Sequence, residues 1–461
     1  MNALRPPADR RAVRPALRTA VALAGAVAVL LAAAPAAPAA AGVPGGPGTH
    51  SLVEVEIPGP EHGGDAGSGH VRVPADSGRA ATAPRLSEAG RAADGQVTKV
   101  IDNGPTTDRL DVVVIGDGYT AAELARFRTD AEEKWAEVTA VEPYTSYRNL
   151  FNVWTVDAVS PESGVSGDPG PDTVRDTALG SHFWCQEIER LLCVDRPKVD
   201  AYVAKAPEAD LVVVLANSAK YGGAGYNEPS ATLGYEGVAT ASAGHPKSGQ
   251  VALHETGHSL GKLADEYFYP GVPEYERYSG PEPADSNSST LTADGMAGQR
   301  AKWHRWLGEP SPDGSPVGAY EGGGYFVSGL YRPTDASLMR VLGKPFNLPG
   351  VEAMIAGFYR HARIVTPLTP AARTLRVRDT ARVSVPRLAT PDGRQPEIRW
   401  YLDGRELKRF AGRTEVRVAE LWLLDPRTHR LTVTAEDRTA SVRDPGLART
   451  LRSTAEWNVR F

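Results

Sequence analysis

The stretch VALHETGHSLGKLADEYFYP, residues 251–270, contains two histidines, His254 and His258, separated by three residues. On a helix these side chains lie one turn apart on the same side, so both imidazoles can bind a single ion. Glu255 stands beside them and can act on a water molecule at that ion without binding the ion itself. The pattern His-Glu-x-x-His therefore predicts a helix that supplies two zinc ligands, an open coordination position and a general base.

The same stretch leaves the third zinc ligand open. In metzincins a glycine at position 261 would end the helix in a left-handed turn, and the residue three positions later would bind the metal. That residue is Ala264, which has no donor atom. Asp265 and Glu266 follow directly, and a turn one residue longer brings Asp265 into reach. Asp265 is our predicted third ligand and Glu266 the alternative; one carboxylate can bind zinc while the other holds a histidine in position.

A different zinc-binding scheme takes its third ligand, a glutamate, from a later helix. The candidates in this chain are Glu274, Glu276 and Glu282, within the segment YPGVPEYERYSGPEP. Proline and glycine are frequent in that segment and disfavour a helix. We keep this scheme as the minor alternative.

The segment YRPTDASLMRVLGKPFN, residues 331–347, predicts a compact turn around Met339. In metzincins such a methionine forms an apolar floor under the zinc ion without bonding to it. Methionine also fills ordinary cores, and this is the alternative role for Met339. Tyr325 and Tyr331 precede the turn, and a phenol there is suited to stabilising an oxyanion.

The residues before the zinc motif predict a mixed sheet. The run LDVVVIGDGY, residues 110–119, is apolar enough for a strand buried on both faces. A capping box at residues 120–123 then begins a helix with one apolar stripe. Residues 150–160 and 210–217 predict further strands, and residues 231–243 a more exposed strand or pair of strands. The expected fold is α/β (α+β): a zincin-like catalytic domain with a mixed, twisted sheet and an active-site helix.

The amino terminus predicts export from the cell. Five arginines precede an alanine-rich apolar run that ends in small residues, which is typical of a secretory signal peptide and defines residues 1–41. Residues 42–96 are rich in glycine, proline and alanine and predict a propeptide or flexible leader, in which only SLVEVEIP and HVRVP resemble strands. We expect a secreted, extracellular protein with no stable membrane anchor after signal cleavage.

The cysteine content agrees with an oxidising compartment. Cys185 and Cys193 are the only two cysteines of the chain, and their closeness in sequence predicts one local disulfide rather than a metal-binding pair. The formal net charge is −5 with both signs interspersed, so the charge pattern gives no indication of a nucleic-acid partner.

The carboxyl-terminal residues 367–461 have a different pattern. Short alternating strands separated by turn signals, with Trp400 in the middle of one of them, predict an all-β sandwich. The catalytic domain is then expected at residues 97–366, followed by an accessory β-sandwich domain whose ligand the sequence does not identify.

Several ordered blocks within residues 97–365 resemble the secreted bacterial zinc metallopeptidases of the immunoglobulin A peptidase-like family. These blocks are VVVIGDGYT, the segment around Trp184 and Cys185, ANSAKYGGAGY, HETGHSLGKLADEY, KWHRWLG and YRPTDASLMR. The family signature resembles His-Glu-x-x-His-x-x-x-x-Leu-x-Asp-Glu-Tyr, which falls here on His254, Glu255, His258, Leu263, Asp265, Glu266 and Tyr267. The resemblance implies a metzincin-like peptidase with a carboxylate as third ligand.

One departure from the family concerns the methionine turn. Cysteines often flank this turn in the family, whereas Ser337 and Asn347 stand at the corresponding positions here. The resemblance therefore implies a lost disulfide rather than lost chemistry. It does not carry over immunoglobulin A as the substrate.

Together these observations predict a secreted zinc endopeptidase. One catalytic zinc ion, held by His254, His258 and Asp265, activates water, and Glu255 is the general base for hydrolysis of a protein or peptide substrate. An extended peptide is expected to pair with the edge strand near residues 231–243. The alternatives are a secreted non-catalytic binding protein with a structural zinc, and a zinc amidase that acts on cell-wall peptides.

Overall fold

The computed structural model describes residues 51–59, 69–76, 86–423 and 425–460. The predicted signal peptide, residues 1–41, lies outside this range. The strands are β1 (Leu52–Ile57), β2 (Gly69–Pro74), β3 (Val97–Ile101), β4 (Leu110–Asp117), β5 (Phe151–Val156), β6 (Leu211–Ala216), β7 (Gly223–Tyr226), β8 (Val238–Ser242), β9 (Tyr320–Gly323), β10 (Phe326–Arg332), β11 (Thr366–Pro367), β12 (Thr380–Ser384), β13 (Glu397–Leu402), β14 (Arg405–Glu406), β15 (Glu415–Arg417), β16 (His429–Glu436) and β17 (Arg452–Val459). The helices are α1 (Glu88–Ala93), α2 (Leu124–Thr139), α3 (Tyr144–Tyr147), α4 (Arg196–Val203), α5 (Ser248–Ser259), α6 (Ala293–Gln299), α7 (Leu348–His361) and α8 (Pro445–Ala448). Among the described residues, none of these helices combines the length and apolar character needed to cross a bilayer.

Eight strands form one mixed sheet in the order β2-β1-β7-β8-β6-β4-β5-β3. The central strands β8, β6, β4 and β5 run parallel to one another. On one side β3 is antiparallel to β5, and on the other β7, β1 and β2 continue the sheet as antiparallel strands. The predicted mixed sheet is therefore confirmed, and the fold is mixed α/β.

Strand β4 is buried on both faces, as its apolar run predicts. Val112 and Val114 belong to the same hydrophobic cluster as the apolar stripe of α2, whereas Val113 and Ile115 belong to the cluster that contains residues of α4. Alternate side chains of one strand thus contact opposite layers. The helix α5, with the zinc motif, lies in the α2 layer, where its Leu253 is part of the first cluster.

The edge of the sheet differs from our expectation. Residues 231–243 do not form an exposed edge, because β8 lies between β6 and β7 and all its residues are buried. The glycine-rich segment 220–227 supplies the next strand, β7. A Cβ atom added at Gly223 would come within 2.4 Å of the Thr240 carbonyl oxygen, so glycine allows β7 to approach β8 closely.

The two strand-like stretches of the leader, SLVEVEIP and HVRVP, form the hairpin β1–β2, which pairs with the free side of β7. Val55, Ile57 and Val73 are buried in the second hydrophobic cluster. Within segment 42–96, the described stretches 51–59 and 69–76 are therefore built into the sheet, which differs from the flexible alternative. Removal of the segment as a propeptide stays a prediction.

The carboxyl-terminal region contains two separate antiparallel sheets, of three strands (β11-β12-β15) and four strands (β14-β13-β16-β17). Trp400 and Trp457 are buried between them and stack with ring centroids 6.0 Å apart. The Asp437 carboxylate accepts hydrogen bonds from the hydroxyls of Tyr147 (2.7 Å) and Tyr359 (3.1 Å). These sheets therefore pack against α3 and α7, and the division at residues 366 and 367 stays a prediction.

Candidate metal centre

The helix α5 brings the two histidines of the motif together. The Nε2 atoms of His254 and His258 lie 3.1 Å apart. Each Nδ1 donates to a backbone carbonyl oxygen, His254 to Leu338 (3.1 Å) and His258 to Leu263 (2.6 Å). A carbonyl can only accept, so Nδ1 carries the hydrogen, and in the neutral imidazole each Nε2 presents a lone pair. The two lone pairs face the same point, which is the arrangement of a pair of metal ligands.

Asp265 faces the same point. Its Oδ1 lies 3.2 Å from the Nε2 of His254 and 3.3 Å from the Nε2 of His258, and it makes no hydrogen bond of regular geometry. Its Oδ2 accepts a hydrogen bond of 2.5 Å from the Tyr325 hydroxyl. The carboxylate is buried, so one oxygen is anchored and the other is free to bind a cation.

Glu266 points elsewhere. Its Oε1 accepts hydrogen bonds from the side-chain amides of Asn287 (3.0 Å) and Asn347 (2.9 Å), and its Oε2 accepts one from Ser337 (2.7 Å). Ser337 and Asn347 occupy the positions where the family resemblance implies cysteines. The Glu266 carboxylate joins these two positions through hydrogen bonds, so the methionine turn is held without a disulfide.

The turn after α5 explains how Asp265 reaches the histidines. The helix ends at Ser259, and the residue in the left-handed conformation is Lys262, with φ of 49°, rather than Gly261 as expected. Gly261 is required for space, because a Cβ atom there would come within 2.6 Å of the Gly257 carbonyl oxygen. The left-handed residue therefore comes one position later than expected, and Asp265 faces the histidines instead of Ala264.

A fourth residue in the centre, Glu56 of β1, was not predicted. Its Oε1 lies 3.0 Å from the Nε2 of His254, and its Oε2 lies 2.8 Å from the Nε2 of His258. The Tyr267 hydroxyl donates to Oε1 and the Asn227 side chain to Oε2, both at 3.0 Å. Glu56 is 0% exposed, although the alternation of its strand predicts a solvent-facing side chain.

The residues fit a zinc ion. Glu56, His254, His258 and Asp265 offer ligand atoms that all lie within 4.8 Å of one another. In a tetrahedral site with bonds of about 2.0–2.1 Å, neighbouring ligand atoms are about 3.3 Å apart. The separations of 3.1 Å between the two nitrogens and of 3.2 Å between Asp265 and His254 are close to that value.

The electrostatics also favour a cation at this point. Burial lowers the pKa of His254, but the carboxylates of Asp265 and Glu56 outweigh it and raise the pKa to about 10. Burial likewise lowers the pKa of His258, and the same two carboxylates raise it well above its usual value. The site therefore stabilises positive charge between the histidines and the acids.

Glu255 lies against strand β7. A Cβ atom added at Gly225 would come within 1.8 Å of the Glu255 Oε2. Within the described part of the chain, neither carboxylate oxygen of Glu255 has a hydrogen-bond partner, although both are buried. Burial and the nearby charge of Glu56 raise the pKa of Glu255 well above its usual value. This is a carboxyl group poised to take up a proton.

The contact between Gly225 and Glu255 leads to a prediction. Gly225→Ala is expected to displace the Glu255 side chain or β7, because the added methyl group overlaps the carboxylate. We expect a loss of about 1–3 kcal/mol in the free energy of unfolding together with reduced peptidase activity. Denaturant unfolding and hydrolysis rates measure the two effects. The control is Gly170→Ala, where the added Cβ has no neighbour within 4 Å and both quantities should stay unchanged. Equal behaviour of the two variants would contradict the contact.

Met339 lies beneath the two histidines. A Cβ atom at Gly257, between the histidines on α5, would come within 2.6 Å of the Met339 sulfur, and Met339 is 1% exposed. The neighbouring Leu338 supplies the carbonyl that accepts from His254, and the Met339 carbonyl accepts from the Glu266 amide at 2.9 Å. The turn thus supports the centre through both its side chain and its backbone.

The remaining candidates have other contacts. Glu274, Glu276 and Glu282 are absent from the groups of the described residues that could share a metal ion, and Glu282 instead accepts from Ser289 (2.6 Å). Tyr325 holds Asp265, as described, whereas Tyr331 pairs through its backbone with Ser289. The alternative scheme, with a glutamate from a later helix as third ligand, therefore has no geometric support within the described residues.

Cys185 and Cys193 form a disulfide, as predicted. His182 lies close enough to complete a possible three-residue metal group with them. The bond between the two sulfurs leaves no thiolate to bind a metal, so this group is structural.

A cavity of about 390 Å³ opens beside the metal centre. His258 and Asp265 are among its lining residues, together with the aromatic residues Tyr278, Tyr325 and Phe326. Its position next to the histidines is that of a substrate pocket.

Residues 98–316 match the model of the family described as IgA Peptidase M64. The match includes the histidine motif, Glu255 and Asp265, and it ends before Met339. It confirms the resemblance to the immunoglobulin A peptidase-like metallopeptidases. No curated protein matches this chain.

Proposed function

We propose that this chain, whose residues 98–316 match the IgA Peptidase M64 family, is a secreted zinc endopeptidase. Membership of a peptidase family implies a protein or peptide substrate. Zinc as the metal, Glu255 as the base and export from the cell are parts of the proposal. The disulfide between Cys185 and Cys193 is in keeping with export.

The observation that carries the proposal is the convergence of His254, His258 and Asp265 on one buried point beside Glu255. The three side chains would hold the ion, because each presents a donor atom to that point. A bound zinc ion supplies a Lewis acid that lowers the pKa of water and polarises the scissile carbonyl. This is the zincin type of catalytic centre, here with a carboxylate as third ligand.

Glu255 provides the proton transfers. One of its carboxylate oxygens takes a proton from the attacking water and afterwards delivers it to the nitrogen of the leaving amine. Burial raises the pKa of this carboxyl group above its usual value, which favours uptake of the proton from water. Its oxygens have no competing hydrogen-bond partner among the described residues, which keeps them available for water.

The ligands are held in position by their second contacts. The backbone carbonyls of Leu338 and Leu263 fix the two imidazoles, and the Tyr325 hydroxyl fixes Asp265. Such contacts orient metal ligands and maintain their affinity. Tyr325 is therefore a positioning residue in this proposal.

An extended substrate peptide would pair with β7, on the side that β1 covers in this structure, rather than with residues 231–243. Gly225 of this strand lies directly beside Glu255. A peptide added to β7 by backbone hydrogen bonds would carry its scissile bond past the general base. We further propose residues 97–366 as the catalytic domain and residues 367–461 as an accessory β-sandwich domain.

A second function is favoured by one observation. Glu56 gives the centre a fourth protein ligand, and zinc sites closed by four protein ligands are typically structural. This supports a non-catalytic binding protein with a structural zinc. The presence of an unpaired, buried Glu255 favours the peptidase, because a structural site needs no base.

The test is hydrolysis of casein and of a cell-wall stem peptide by the zinc-loaded chain and by its Glu56→Ala variant. We expect cleavage of casein that stops when zinc is removed by a chelator and returns when zinc is restored. Cleavage of the wall peptide alone would favour the amidase. Zinc binding without cleavage by either protein would favour the binding protein.

A further inference from the structure

We propose that the hairpin β1–β2 is an intramolecular inhibitor that occupies the substrate position, with Glu56 closing the metal centre. This inference rests on the proposed peptidase function. It assigns a role to the only part of the described metal centre that comes from the amino-terminal segment.

The position of β1 supports this role. Strand β1 is antiparallel to β7, with Glu56 opposite Gly225. The edge of β7 is the surface along which an extended substrate would pair, and β1 covers that edge with a strand of this chain. Gly225 also contacts Glu255, so β1 passes the general base as a substrate would.

The side-chain contacts of Glu56 close the centre. Its two carboxylate oxygens lie 3.0 Å and 2.8 Å from the Nε2 atoms of His254 and His258. A catalytic zinc site needs one position open to water and substrate, and Glu56 fills the fourth position.

The hairpin is docked by further contacts that do not involve the centre. After β1, the Tyr221 hydroxyl donates to the Gly59 carbonyl oxygen (2.6 Å) and the Arg190 guanidinium to the Pro58 carbonyl oxygen (2.8 Å). After β2, the backbone N–H of Arg196 donates to the Ala75 carbonyl oxygen (2.9 Å). Val55 and Val73 are buried in the core cluster beneath. These contacts hold the Glu56 carboxylate at a high effective concentration beside the two histidines.

The test compares Glu56→Ala and Glu56→Gln with Glu54→Gln in the full chain. Glu54 belongs to the same strand, two residues before Glu56, but its side chain is exposed. We expect casein hydrolysis to rise at least about tenfold in both Glu56 variants, because the fraction of open centres increases, and to stay unchanged in Glu54→Gln.

A second readout is independent of activity. In the cobalt-substituted chain, loss of the Glu56 ligand should change the visible absorption spectrum in the two Glu56 variants and leave it unchanged in Glu54→Gln. A synthetic peptide of residues 51–59 should inhibit Glu56→Ala, and the same peptide with glutamine in place of Glu56 should inhibit it less.

The outcomes separate this inference from the proposed function. Glu56 variants that hydrolyse casein at the wild-type rate, with unchanged cobalt spectra, would overturn the inhibitor. Glu56 variants that lose zinc together with hydrolysis would also overturn it, because Glu56 would then be a permanent ligand. A changed spectrum with no hydrolysis by any variant would contradict the peptidase itself.

Discussion

Glu255→Gln is expected to lower kcat/KM for peptide hydrolysis by about 10²- to 10⁴-fold while the chain still binds one zinc ion. Glutamine has nearly the shape of glutamate but cannot take a proton from water. The Glu255 oxygens make no hydrogen bonds within the described structure, so the change removes no contact that supports the fold. Replacing this buried carboxyl group by an amide should leave stability at or above the wild-type level.

This prediction is measured with casein in two backgrounds, the natural chain and Glu56→Ala, so that inhibition by the hairpin does not hide the effect. Zinc content and thermal unfolding are measured on the same samples. A Glu255→Gln protein that is folded, binds zinc and hydrolyses casein at the rate of its parent would show that another group acts as base.

Asp265→Ala is expected to remove zinc, whereas Glu266→Ala is expected to retain it. Asp265 presents a free, buried oxygen to both histidines, but the Glu266 carboxylate is fully used by hydrogen bonds. Loss of a partner that only orients a ligand reduces metal affinity by about 10- to 100-fold, and loss of the ligand itself should reduce it further.

The order is reversed for stability: the variant that keeps zinc, Glu266→Ala, is expected to lose more folding free energy than Asp265→Ala. Glu266→Ala leaves Asn287, Asn347 and Ser337 without their shared acceptor, which should cost about 1–3 kcal/mol for a buried unsatisfied group. Zinc content and denaturant unfolding check the pair, and Asp265→Asn is the matched control that keeps the shape of the side chain. Zinc loss in the Glu266 variant alone would exchange the two assignments.

The sequence predicted the parts of this molecule that depend on local patterns. The spacing of His254 and His258 requires only a helix to bring them together, and the apolar run 110–119 requires only a two-sided sheet. The disulfide joins cysteines eight positions apart, with no other cysteine to compete. In each case the information lies within one element or its neighbours.

Glu56 could not be predicted in this way, because it lies 198 positions before its partner His254. Its strand alternates glutamate with apolar residues, and this pattern is typical of a strand with one solvent-facing side. The alternation fails from Val55 to Ile57, where three consecutive residues are buried as the strand enters the metal centre. A burial pattern of that kind depends on tertiary contacts.

The position of the strand beside Glu255 also differs from the sequence prediction, for a related reason. Glycines disfavour strands in general, so the glycine-rich segment 220–227 does not show the pattern of a strand in the sequence. In β7 the missing side chains are what allow contact with β8 on one side and with Glu255 on the other. The turn after α5 differs from the prediction for the same kind of reason. Its left-handed residue is Lys262, and Gly261 is needed for close packing rather than for a left-handed backbone.

The central claim is that peptide hydrolysis requires zinc bound at His254, His258 and Asp265 and a proton acceptor at Glu255. Its most direct test is a titration of the metal-free chain with zinc, in the Glu56→Ala background, that follows casein hydrolysis and bound zinc together. We predict that hydrolysis rises in step with binding to a plateau at one zinc ion per chain, and that Glu255→Gln binds the same amount of zinc without hydrolysis. Hydrolysis that is present before zinc is added, or equal in the Glu255→Gln protein, would contradict the claim.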